Sequence, residues 1–239
     1  MQRESWVWTS PHLAEPARLA RWGHFGTPVL LFPSAGGDYE EVERFHLIAA
    51  LAEMIDNGRI KVFSVDGIAA RAWLRGTTSP EQCVRTQHEY DTYLDTEVVP
   101  LIRRDCHSDA IEIVAAGAAI GGCSAIAALV RRPSVFRLAI ALDGIFDLSK
   151  YLTSGFTPAL TSVSLLHALP SLVNDAVRRR FAVLATGEGA YEDPSESERM
   201  SAALGSAGVN HILEKWGPNY AHGWDTWRAM LPRYLGMHA

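Results

Sequence analysis

The chain alternates between short, continuously apolar runs and longer runs with apolar residues at helical spacing. "PVLLFPS" (28–34), "IKVFSVDG" (60–67), "AIEIVAAG" (110–117), "RLAIALDG" (137–144), "RFAVLATG" (180–187) and "HILEKWG" (211–217) read as strands. "SWVWTS" (5–10) and "PARLARWG" (16–23) read as an opening antiparallel hairpin. Between the strands, residues 40–56 carry a helical pattern. The stretch 79–105 opens with Ser79 as N-cap, Pro80 at the first helical position and Gln82 three residues past the cap. Further helices are expected after residue 119, after "DPSE" (193–196) and at the end of the chain. Continuous apolar strands separated by helices predict a mostly parallel central sheet covered on both faces, with an antiparallel N-terminal edge. Residues 149–177 break the rhythm and suggest a cap-like segment over a pocket.

Composition narrows the picture. A length of 239 residues with 48% hydrophobic and 21% charged side chains suits one domain, 1–239, with a full core. The net charge of −5 and the lack of a basic run argue against nucleic acid or an anionic membrane as partner. No apolar stretch approaches the roughly 18 residues that span a bilayer, and "MQRESWVWTSPHL" has no apolar signal core, so a cytoplasmic location is expected. Cys83, Cys106 and Cys123 lack metal-ligand spacing and are expected as free thiols. The nine histidines are scattered, so neither a metal nor another cofactor is expected.

The chemistry centres on "VAAGAAIGGCSA" (114–125), where a strand runs into a helix through a turn bracketed by Gly117 and Gly121. In the pattern G-x-S-x-G, that turn exposes a nucleophilic serine. Here Ala119 stands in its place. The partners of such a serine follow in the order acid, then histidine, each in a loop after a strand. "GEGAYEDPSE" (187–196) supplies Glu188, Glu192 and Asp193, and "KWGPNYAHGWDTW" (215–227) supplies His222. Each has a blander role available. Asp193 makes a good N-cap, Glu188 a solvated charge, and His222 a helix-start residue. The turn "LLFPSAGGDYEE" (30–41) offers backbone donors for an oxyanion hole, with Ala35 and Ile120 as the expected amides.

Together, "VLLFPSAGGDYEEVERF", "GAAIGG", "VFRLAIALDGIFDL", "VLATGEGAYED" and "WGPNYAHGWDTW" resemble the esterase branch of the α/β-hydrolase superfamily. That branch holds esterase D-like enzymes, feruloyl esterases and mycolyltransferases. The likeness covers most of the chain and is weakest in 1–25 and 149–177. It implies the α/β-hydrolase fold, a small-molecule ester substrate and acyl transfer by a serine–histidine–acid triad. The family roles map onto positions 119, 193 and 222, with Glu192 as the alternate acid.

The departure is Ala119. A methyl group cannot attack a carbonyl, and losing the nucleophile of such a triad costs on the order of 10⁶ in turnover. Cys123 and Ser124 lie about one helical turn further on, roughly 5.4 Å along the axis, too far to substitute. Two origins are open: a deliberate Ser→Ala replacement that holds substrate unreacted, or natural loss that leaves a non-catalytic binding protein. Survival of His222, an acid, the elbow glycines and the oxyanion turn favours the first. A dinucleotide-binding oxidoreductase is a further alternative, because Gly117, Ala119 and Gly122 approximate G-x-G-x-x-G and Asp143 ends the next strand. Against it, the middle glycine is missing and the motif sits halfway along the chain.

Overall fold

The computed structural model describes residues 1–238. Its strands are β1 (Arg3–Trp8), β2 (Ala17–Trp22), β3 (Thr27–Phe32), β4 (Ile60–Val65), β5 (Ile113–Ala118), β6 (Phe136–Leu142), β7 (Phe181–Thr186) and β8 (Asn210–Lys215). They form one eight-stranded sheet in the order β1-β2-β4-β3-β5-β6-β7-β8. The β1–β2 and β2–β4 pairs are antiparallel, and all the others are parallel. Every residue of β4 and β5 is buried, as strands covered by helices on both faces must be. Alternate side chains feed two cores. Leu30, Phe63, Ala115, Ala139 and Leu184 point to one face, and Leu31, Val62, Val114, Ile140 and Val183 to the other.

Ser79 caps its helix as expected, accepting the Gln82 N–H at 3.2 Å. That helix does not run evenly to 105. Pro80–Tyr93 passes through a wide π-helical turn, Leu94–Val98, into Val99–Asp105. Pro100 accounts for the wide turn, because it has no N–H for the Thr96 carbonyl and its ring crowds that oxygen.

The helix expected over 40–56 is instead three short turns, Glu41–Arg44, Leu47–Ala50 and Ala52–Asp56. The first break lies at His46, which adopts a left-handed backbone with φ 62°. Beside it Phe45 stacks on Trp224 at 4.7 Å, and the Phe45 carbonyl accepts from Arg228. Tertiary contacts to the C-terminal helix, Trp224–His238, thus override the local helical pattern.

Residues 149–177 contain a turn at Pro158–Ser162 and a helix at Leu165–Leu172. They pack Leu152, Leu160 and Val163 against Trp73 and Cys83, and Leu165 and Leu169 into the main core.

Candidate active site

The sharpest feature lies between β5 and the helix Ile120–Arg131. Ala119 has φ 52° and ψ −122°, a region that non-glycine residues enter only under constraint. Its N–H donates to the Leu142 carbonyl at 2.9 Å, and its carbonyl accepts from Gly122 and Ile145, both at 3.0 Å. Close backbone crossings tighten the turn. A Cβ on Gly117 would lie 2.3 Å from the Gly121 oxygen, and one on Gly121 would lie 2.4 Å from the Phe32 oxygen. Both positions therefore require glycine. The strand-to-helix turn is thus a strained elbow with the Ala119 methyl group at its tip.

The loops after β7 and β8 are pressed together backbone to backbone. Glu188 N–H donates to Gly217 at 3.0 Å, Gly189 N–H to Tyr220 at 2.9 Å, and His222 N–H to Ala190 at 3.0 Å. A Cβ on Gly187 would sit 2.0 Å from the Tyr220 oxygen, so "GEG" is what allows this approach. The contact aligns Glu192 with His222. His222 Nδ1 lies 2.5 Å from Glu192 Oε2, and Thr186 donates to the other carboxylate oxygen at 2.9 Å. The Glu192 side chain is 2% exposed and that of His222 is 23%.

The acid expected at Asp193 must therefore be corrected. The Asp193 carboxylate turns outward and accepts from the N–H and hydroxyl of Ser195, capping the helix Pro194–Ser206. The alternate acid, Glu192, is the one that meets the histidine. Glu188 sits near Lys215 at 3.6 Å on the surface.

A third acidic residue lies behind this pair. Asp143, at the end of β6, is fully buried with φ 46°. One carboxylate oxygen accepts the Gly187 N–H at 2.8 Å and the other accepts the Trp227 indole N–H at 2.7 Å. Asp143, Glu192 and His222 bring one donor atom each within 4.8 Å of one another. Sequence reasoning placed Asp143 only in the dinucleotide alternative. Its burial and its two N–H partners leave it nothing to offer a ribose. All four oxygens of Asp143 and Glu192 already hold a donor. The three residues form one hydrogen-bonded acid–histidine group.

Electrostatics follow from that packing. Burial raises the Asp143 pKa, the negative charge of Glu192 adds to the rise, and the two N–H donors and His222 oppose it. Burial alone would lower the His222 pKa. The hydrogen bond and charge of Glu192, and then the charge of Asp143, outweigh burial and raise it.

Of the two expected oxyanion donors, the Ile120 amide already has a partner. Ile120 N–H donates to the Ser34 carbonyl at 3.1 Å. Ser34 is anchored in turn by Glu41, whose carboxylate accepts the Ser34 N–H at 2.8 Å and its hydroxyl at 2.9 Å. Ala35, the next residue, is exposed. The Ile120 amide therefore needs the Ser34 carbonyl to move before it can serve an oxyanion. Backbone peptide orientation of this kind has no signature in sequence.

Strand order and the strand-to-helix elbow after β5 together define the α/β-hydrolase fold. The family described as "Putative esterase" matches residues 26–238, and the chain belongs to it. Among solved structures it is similar to Mycobacterium tuberculosis MPT51 (FbpC1), with 19% identity over 99% of this chain and 97% of that one (TM-score 0.72). An S-formylglutathione hydrolase from Agrobacterium tumefaciens is 16% identical over 99% of this chain and 94% of that one (TM-score 0.71). A ferulic acid esterase is 14% identical over 99% and 96% (TM-score 0.74). At these identities the likeness is one of fold. No curated protein matches the chain. No helix among the described residues is long and apolar enough to cross a membrane.

Proposed function

We propose that the chain is a carboxylic-ester hydrolase of the serine type whose nucleophile position is occupied by Ala119, so that it binds a small ester without turning it over. The observation that carries this reading is the strained Ala119 backbone in a chain that also pairs Glu192 with His222. Such strain costs on the order of 1–3 kcal/mol, and an alanine gains nothing from it. That supports Ala119 as the replacement of a serine.

With a hydroxyl restored at 119, its oxygen would attack the ester carbonyl while His222 takes the proton. Glu192 holds Nδ1–H and stabilises the imidazolium. The Ile120 and Ala35 amides would receive the oxyanion once the Ser34 carbonyl has swung aside. His222 then returns the proton to the leaving alcohol, and water or another alcohol releases the acyl group. The test is Ala119→Ser, assayed with chromogenic esters and a fluorophosphonate probe.

A second reading, a binding protein with no catalytic past use for the site, draws on the Ile120 N–H being already satisfied by Ser34. An Ala119→Ser protein that folds but stays unreactive favours it.

A further inference from the structure

Asp143 is a buried ionisable group next to the Glu192–His222 pair that the serine–histidine–acid mechanism does not use. We propose that Asp143 is a positioning residue for His222, a second carboxylate that locks the Glu192 loop and Trp227 around the histidine and stabilises its imidazolium. The inference rests on the acyl-transfer reading above and adds a further residue to it.

The geometry runs through three elements. The Asp143 N–H donates to the Ala185 carbonyl of β7 at 2.8 Å, which ties the end of β6 to β7. Its carboxylate then holds Gly187, the first residue of the loop that carries Glu192. The other oxygen holds the indole of Trp227, whose ring meets the His222 ring edge-on at 5.2 Å and 86°. Asp143 thus holds both the acid's loop and the aromatic ring that meets the imidazole. A left-handed backbone at a non-glycine residue, φ 46°, is what turns its side chain back under that junction.

When the imidazole is neutral, two buried carboxylates lie close together, Glu192 hydrogen-bonded to the ring and Asp143 to Gly187 and Trp227. Protonating His222 places a cation within 4.8 Å of both. In a site shielded from water, that attraction is weakly screened. Lys150 also bears on the histidine; it opposes protonation and is paired with Glu196 at 3.0 Å. Asp143 thereby favours the imidazolium, the species His222 becomes when it removes a proton from a nucleophile. A purely structural aspartate would tie the three elements together without altering proton affinity at the histidine.

The test follows the His222 imidazole by NMR through a pH titration of the chain as it stands and of Asp143→Asn. The variant is expected to lower the His222 midpoint by at least about half a unit, a threefold loss of proton affinity. An unchanged midpoint in a folded Asp143→Asn protein overturns the proposal. Should that variant fail to fold, carboxyl-carbon resonances of the unmutated chain decide. Asp143 is expected to respond in step with His222, and a resonance that ignores the histidine's titration refutes the coupling. In Ala119→Ser, Asp143→Asn should lower kcat more than it changes KM; the reverse pattern also counts against the proposal. The titrations need no turnover, so a silent Ala119→Ser protein would count against the esterase reading and leave the Asp143 result intact.

Discussion

His222 Nδ1 lies 2.5 Å from Glu192 Oε2, while the very next residue, Asp193, turns its carboxylate away to Ser195. One residue of chain separates a buried acid from a solvent-facing helix cap. In Ala119→Ser, Glu192→Gln is therefore expected to cut kcat by a factor on the order of 10³–10⁴, as loss of the orienting acid does in related triads. Asp193→Ala should leave kcat within about threefold and cost about 1 kcal/mol of stability, the worth of an N-cap. Steady-state kinetics and urea unfolding of both variants check the pair.

The elbow makes a stability prediction that needs no activity. Gly121→Ala would press a methyl to 2.4 Å from the Phe32 carbonyl oxygen, a backbone atom with nowhere to go. A loss of at least about 2–3 kcal/mol is expected, or failure to fold. Gly236→Ala, in the last helix with nothing within 4 Å, should instead be neutral or gain up to about 1 kcal/mol. Denaturant midpoints of the two variants give the comparison.

Glu41 anchors the turn after β3 through both Ser34 hydrogen bonds. Glu41→Ala leaves the buried Ser34 N–H without its partner and should cost about 1–3 kcal/mol. Equilibrium unfolding of the variant against the parent measures it.

The buried cluster sets a pH dependence with a definite sign. The folded protein holds Asp143's proton up to about 6, above the ordinary carboxylate range near 4, because burial and Glu192 disfavour its charge. The folded state thus binds an extra proton in that window, and stability from this group, present below about pH 4, is lost as pH rises through about 6. His222, also raised, loses its contribution in the same direction as pH climbs through its folded value. The stability advantage of the parent over Asp143→Asn should shrink by on the order of 1 kcal/mol between about pH 4 and 7. Thermal unfolding of both proteins across that range reads the trend.

Much of this was legible in the chain. Continuous apolar runs gave away the parallel sheet, and the β5 elbow and the turn after β3 showed in their glycines. His222 stood out by its place after the last strand. The choice between Glu192 and Asp193 was not legible, because it depends on the loops after β7 and β8 meeting at Gly187, Gly189 and Tyr220, residues distant in sequence. Asp143 was hidden for a related reason. A polar residue ending a buried strand looks like a strand stop until Gly187 and Trp227 are seen converging on it. His46 broke an apparently sound helical pattern because Phe45 is drawn to Trp224 across the fold.

The most direct measurement is fluorophosphonate labelling of three folded proteins: the chain as it stands, Ala119→Ser, and Ala119→Ser combined with His222→Ala. The account predicts covalent labelling, with the adduct mapped to position 119, in Ala119→Ser alone. No labelling of a folded Ala119→Ser protein, or equal labelling when His222 is removed, would contradict it.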